Sequence, residues 1–586
     1  MEWSLAELYE SFESDKWKAD LQSFKDALEA ASRFAKENFG NFDDPIKKAE
    51  EFLHLYVRAI TLEQTLGSFA HLTLAVDVLN ETAAKASDVI EELATGLTEP
   101  VAAFERFIAD LPDFDALISG SEVLRAHAFV LGEIREQSKY LLSPAEESAI
   151  AKMAATGSSA WEKLRDQLTA TLPVELEENG EKKTVPLSVA RNLAHSPSAE
   201  TRKNAYTDEL SAYEKIDKSV SFCLNSIKGE VLSVCKLRGY ASPLEMTLLH
   251  ARMDRPTLDA LLGSMERFLP VFRKFLRHKA RLLGYDGGLK FYDLFAPISE
   301  NNQKYSFEEA SKYVLEVFGN FSADLRDFAN TAFTRRWIDV YPRDGKTGGA
   351  FCSSIHPIKE SRFMLNFGGN WNDVTTLAHE LGHGYHSHCL REQLLLNSSY
   401  SMPIAETAST FCETLVLRDA LGKAADSARA AILNFDITDT TQIIVDIYSR
   451  YLFETEIFRS RAEGSLSVGE LKDAMLSAQK TAYGDGLDHE YLHSYMWVNK
   501  SHYYYASHNF YNFPYAYGLL FAKGLYAKYL REGAAFAEEY AKILESTGTR
   551  DLADVAAMAG IDVRSVDFWD SSLKIVETEV DEFLEI

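Results

Sequence analysis

"TTLAHELGHGYHSHCL", residues 375–390, places four histidines within ten positions. His379, Glu380 and His383 spell H-E-x-x-H. On a helix, positions i and i+4 lie about 40° apart around the axis and about 6 Å along it. Two imidazoles so placed can share one tetrahedral zinc ion. Glu380, about 60° from His383, flanks that ion without binding it and can reach a water there. The flanks agree with a helix: Asn370 or Asn372 of "NWND" offers a cap, and "VTTLA" before the motif is apolar enough to bury.

The other histidines divide. His386 falls within about 20° of the His379 direction but about a turn beyond His383, so it reads as a neighbour of the site at most. His388 faces the opposite side and reads as surface or core. Cys389 points about 240° from His383 and is not a ligand. A longer pattern ending in a third histidine would need Gly at 386 and His at 389, and the chain has His386 and Cys389. The third ligand is better sought in "MPIAETASTFCETL", residues 402–415, where Pro403 starts a helix and Glu406 and Glu413 lie seven apart on one face. Two histidines and a glutamate leave a fourth zinc position open for water, as in a hydrolase. Glu413 is either a hydrogen-bond partner of a ligand imidazole or an exposed helical glutamate.

Immediately upstream, "WIDVYPRDGKTGGAFCSSIHPIKESRFMLNFGG" (337–369) changes character. Gly348-Gly349 permits a bulge or a close backbone approach, "AFCSSI" alternates, and "RFMLNF" is β-prone, so two or three strands are expected just before the histidine helix. Elsewhere helices dominate. Trp17, Leu21, Phe24, Leu28 and Ala31 recur at helical spacing after a cap at Ser14 or Asp15, and helices continue to about residue 170. "TLPVELEENGEKKTVPLSVA" (171–190) reads as a hairpin turning at Asn179-Gly180. Helices resume after Pro197, which suggests a helical region over 1–195 and a catalytic region over 196–586.

Composition bounds the function. The chain has 586 residues, 46% hydrophobic and 25% charged, with only 15 prolines, which suits a large, mainly α globular protein. A net charge of −27 repels phosphate backbones and anionic lipids, so neither nucleic acid nor membrane is an expected partner. Five scattered cysteines without a C-x-x-C, no secretory leader and no span of about 18 apolar residues read as a cytoplasmic protein.

"HELGHGYH", followed 23 residues after His383 by the glutamate of "ETAST", resembles the oligoendopeptidase F family, relatives of thimet oligopeptidase. "WSLAELY" near the start, "GKTGGAF", "FMLNFGG" and "FYNFPYAYGLLFAKGLYAKYL" look similar to segments of that family in the same order. The resemblance implies His379, His383 and Glu406 as ligands of one zinc ion per chain, and Glu380 as catalytic base. It implies a mostly helical, zincin-like metallopeptidase with a deep cleft and a small sheet beside the H-E-x-x-H helix.

"SHYYYASHNFYNFPYAYG" (501–518) is an aromatic wall, or it supplies a phenol or imidazole N–H to a developing oxyanion. In the family, a His and two Tyr four residues apart come from this loop. Tyr511 and Tyr515 keep that spacing; His502 suits the family position, while His508 lies nearer the tyrosines. "GGAFCSSI" is an ordinary edge strand with a glycine bulge, or an edge that pairs with an extended peptide. The resemblance favours the second, with Gly349 and Ala350 binding substrate. The expected function is zinc-dependent cleavage of internal bonds in short, unstructured oligopeptides. A dipeptidyl carboxypeptidase-like exopeptidase on the same scaffold, or a non-catalytic helical peptide-binding protein, are the rivals.

Overall fold

The computed structural model describes residues 2–178, 181–298 and 304–586. Helices make up most of it, as the alternation of apolar stripes and caps requires. Ser14 is the cap of the helix Asp15–Asn38, accepting from the Trp17 N–H, and Trp17, Phe24, Leu28 and Ala31 are buried on one face. That face packs on the long helix Pro45–Val76 through Phe69, with Tyr9 and Trp17 in edge contact.

A hairpin, β1 (Pro173–Glu178) and β2 (Glu181–Pro186), pairs antiparallel from Pro173 opposite Pro186 to Glu178 opposite Glu181. The expected turn residues Asn179 and Gly180 lie outside the described residues. Val174, Leu176 and Val185 are buried, and they share one hydrophobic cluster with Tyr213, Phe453, Trp497 and Tyr504. Arg165 donates to the Val498 carbonyl at 2.8 Å. Residues on the two sides of position 195 therefore share a core.

The second sheet has the order β3-β5-β4, with β3 (Ile338–Asp339) parallel to β5 (Glu360–Met364) and β4 (Phe351–Ile355) antiparallel to it. The region expected to hold two or three strands holds three. Side chains on β5 alternate between two layers, as a period of two demands. Phe363 points to the H-E-x-x-H helix, where its ring meets Gly384, and Met364 joins Trp3, Leu8, Trp17 and Phe69 of the N-terminal helices. The sheet is thus held between the N-terminal helices and the helix Trp371–Leu390, with β4 at its edge.

Candidate metal centre

The helix Trp371–Leu390 is started by a reciprocal cap. Asn370 Oδ1 accepts from the Asp373 N–H at 3.1 Å, and Asp373 Oδ2 accepts from the N–H groups of Asn370 and Gly368. Val374, Leu377, Ala378 and Leu381 bury one stripe in the main core. The stripe carrying His379 and His383 faces the next helix, Thr407–Lys423.

Two glycines set how closely these elements approach. A Cβ on Gly382 would lie 2.6 Å from the Ala408 carbonyl oxygen and 2.6 Å from the Ser409 Cα. A Cβ on Gly384 would lie 2.4 Å from the Phe363 ring. Gly382 therefore lets the glutamate-bearing helix come within reach of the histidines, and its obstacle is backbone, which cannot turn aside. Gly382→Ala is expected to lower stability by about 1–3 kcal/mol, an overpacking cost. It should also weaken metal binding, because the clash pushes Ala408 and Ser409, and with them Glu406, away from the histidines. Denaturant unfolding and metal titration of the variant check both effects.

Glu406 sits where the short turn Met402–Ala405 ends and the helix Thr407–Lys423 begins, with φ −86° and ψ 0°. The expected continuous helix from Pro403 is interrupted there, and the break aims the carboxylate across the groove. Its Oε2 lies 3.5 Å from His379 Nε2 and 3.5 Å from His383 Nε2, and the two Nε2 atoms face each other at 3.1 Å. Two atoms bound about 2.0–2.1 Å from a tetrahedral ion are roughly 3.3 Å apart. The three separations bracket that value, so the donor set fits one such ion. His379, His383 and Glu406 are the one such donor group among the described residues.

The neighbours orient this set. Glu413 Oε1 lies 2.6 Å from His379 Nδ1, which turns the Nε2 of that ring toward Glu406. Glu413 is thus a partner of the imidazole rather than a free surface glutamate. Ser409 Oγ donates to Glu406 Oε2 at 3.0 Å. Burial alone would lower the His379 pKa. The hydrogen bond and charge of Glu413, with Glu406 and Glu380, outweigh it and hold the value up at about 9. Burial would raise Glu406, but His383, His379 and Ser409 bring it down to about 2. Glu380 is 6% exposed, and burial holds it above the ordinary carboxylate range against the pull of both histidines.

The remaining histidines leave the centre. His386 is fully buried, bonded through Nε2 to Thr547 Oγ1 at 2.8 Å and stacked on Tyr400. His388 packs beside Tyr385 and Phe328, with Asp324 at 3.8 Å. Cys389 is held near Tyr385 and Asp324, away from the donor set.

The aromatic loop folds back on the centre. The helix Phe513–Glu532 packs so closely that a Cβ on Gly518 would lie 3.0 Å from the Glu406 Cβ. Tyr515, three residues earlier, has its pKa raised by burial, then by Tyr511, then by Glu406. The His502 ring stacks on Tyr511 at 5.2 Å and meets Tyr515 at 6.2 Å. Burial, followed by the charges of Arg450, Lys500 and Arg165, lowers His502 to about 4, and its Nδ1 has no partner. His508 is exposed and bonded to Ser507 Oγ, though its ring also lies 6.0 Å from Tyr511. On the other wall, Gly349 is exposed with φ +84°, and its carbonyl accepts from Asn366 Nδ2 at 2.8 Å. Ala350 is half-buried and leads into β4. The Cys352 thiol of that strand is raised by burial and by the charge of Glu380. Periodicity and spacing do not single out Gly382, Ser409 or Cys352 as site residues. The small residues inside "HELGHG" were the available signal for the first.

The description "Peptidase family M3" matches residues 192–575, and "Oligopeptidase F" matches residues 109–173. Oligopeptidase PepF of Bacillus subtilis is 24% identical, over 100% of this chain and 87% of its own. Group B oligopeptidase PepB of Streptococcus agalactiae is 26% identical, over 81% and 77%. Among solved structures, a peptidase from Chlamydophila abortus matches with a TM-score of 0.87 at 23% identity, over 100% of this chain and 98% of that one. The oligoendopeptidase-F of Enterococcus faecium matches at 0.72 and 20%, over 97% and 99%. These two likenesses show the fold, a large mainly α peptidase fold. The family match spans about two thirds of the sequence and includes every donor of the centre, and on that ground the chain belongs to peptidase family M3.

Proposed function

We propose that this metallopeptidase is a zinc-dependent endopeptidase that cuts internal bonds of short, unstructured oligopeptides. The observation that carries the reading is the triangle of His379, His383 and Glu406 atoms at 3.1–3.5 Å, with Glu380 beside it. One zinc ion held there supplies Lewis acidity, which acidifies water and polarises the scissile carbonyl. Glu380 accepts the proton of the attacking water on its carboxylate and returns it to the leaving amine. Glu413 holds the His379 ring through Nδ1, so that Nε2 keeps its direction. Tyr515, in edge contact with Tyr511 and with the His502 ring that stacks on Tyr511, is assigned to donate to the oxyanion. Gly349 and Ala350, leading into edge strand β4, are assigned to pair with the extended substrate backbone.

The same reading places the protein in the cytoplasm, where a reducing environment suits its five free cysteines. No helix among the described residues is long and apolar enough to cross a membrane.

Metal analysis and a cleavage map test the proposal together. Purified protein should carry one zinc per chain after dialysis, and Glu406→Ala should lose it. Glu413→Ala should weaken zinc binding by about 10–100-fold without abolishing it. Digestion of an internally quenched peptide should give internal cuts. Release of terminal dipeptides alone would establish the exopeptidase instead, and stoichiometric zinc in Glu406→Ala would remove the third ligand.

A further inference from the structure

A cavity of about 390 Å³ opens beside the start of the H-E-x-x-H helix, between that helix and the helix Asp426–Thr441. Phe295, Trp371 and Phe435 give it apolar surface, and Asn372, Asn434 and Asp439 also line it. Asn372 and His379 are seven residues apart, so they share one helix face about 10.5 Å apart along the axis. An extended peptide rises roughly 3.3 Å per residue, and the cavity is thus about three residues from the metal centre.

Its polar groups are unmet. Trp371 is 8% exposed, and its Nε1–H has no partner. Asn434 Oδ1 is enclosed and also without one. The Asp439 side chain is exposed to solvent at the cavity and makes no hydrogen bond or ion pair among the described residues. Negative charge is in surplus behind it. Glu413 is paired with His379, while Asp436, Asp439 and Glu579 share Lys523 and Arg418, and Arg418 lies 2.6 Å from Glu579. The positive end of the motif helix is already occupied by Asp373. Lys279, behind the wall, donates to the Leu294 carbonyl and to Thr438.

Resting on the peptidase reading above, we propose that this cavity is a substrate subsite for a cationic group, a Lys or Arg side chain about three residues from the scissile bond, with Asp439 as its counter-ion. Phe295, Trp371 and Phe435 supply apolar surface for the alkyl stem of such a side chain. Trp371 and Asn434 keep an unpaired donor and an unpaired acceptor just beneath the cavity wall.

The test is a set of quenched peptides with Arg, Gln or Glu at each position within about four residues of the scissile bond. The wild-type enzyme should favour Arg over Gln at one position by about 10-fold or more in kcat/KM. Asp439→Asn should bring that ratio close to one, Asp439→Glu should keep it, and Asp439→Arg should favour Glu. Zinc content and thermal unfolding confirm that each variant is folded. A ratio near one at every position in the wild type, or an unchanged ratio in Asp439→Asn, overturns the subsite. A preference that instead follows acetylation of the peptide amino terminus, and is lost in Asp439→Asn, assigns the cavity to an α-ammonium. Fluorescence anisotropy of the labelled Arg peptide on Glu380→Gln separates the two readings. Binding that needs both Arg and Asp439, in a protein that hydrolyses no peptide, keeps the subsite and removes the peptidase role. Hydrolysis without charge preference does the reverse.

Discussion

Glu380→Gln is expected to keep one zinc per chain and the wild-type unfolding midpoint while losing about 10²–10⁴-fold in kcat, the contribution of a positioned acid–base group. The structure separates the two roles. The ligand atoms are on His379, His383 and Glu406, and Glu380 belongs to neither the donor triangle nor its hydrogen bonds. Glutamine keeps the size of the side chain and removes only the ability to accept a proton. Because Glu380 is 6% exposed, a neutral amide in its place does not introduce a buried charge, so the fold has no reason to suffer. The measurement is single-turnover hydrolysis beside metal analysis of the same preparation. Turnover near the wild-type level would remove Glu380 as the base. A loss of zinc along with activity would show that the side chain supports the metal and would leave the proton acceptor unassigned.

The centre was legible in the sequence wherever one element carried the information. His379, Glu380 and His383 follow from a spacing of four on one helix, and Glu406 and Glu413 from a spacing of seven on the next. The cap at Asn370 and the β-prone runs before it are equally local, and both are present in the structure. What was hidden depends on contact between distant elements. Periodicity predicts a helix from Pro403 but not the break at Glu406, because that break serves a carboxylate that must reach two rings across a groove. Gly382 and Gly384 look like weak points in a helix until Ala408 and Phe363 are placed against them. Whether His502 or His508 faces the tyrosines depends on how the loop closes: His502 lies in the stack with Tyr511, and His508 turns to Ser507. Asp439 is 60 positions from His379, on a helix with no motif, and only the fold brings its charge near Glu413.

The largest effect expected on substrate choice is a size limit. The histidine and glutamate donors are only 21–34% exposed, and helices from both ends of the chain pack around the sheet and helix that carry them. A substrate must therefore enter as an extended strand, and a folded domain would first have to unfold, at a cost of roughly 5–15 kcal/mol. Unstructured peptides of about one to two dozen residues, which span roughly 3.3 Å per residue when extended, should be cut internally and quickly. Reduced and alkylated protein chains should show little or no cleavage, since walls that enclose a short peptide exclude a chain of several hundred residues. The unfolded chain is the decisive substrate because it has no stability to overcome. Slow cleavage of it can come only from exclusion by the walls, whereas slow cleavage of a native protein could come from either source. Mass-spectrometric time courses on a peptide ladder and on one alkylated protein give both rates. Rapid digestion of the alkylated chain would mean an open groove and a general protease, and the helical walls would then need another explanation.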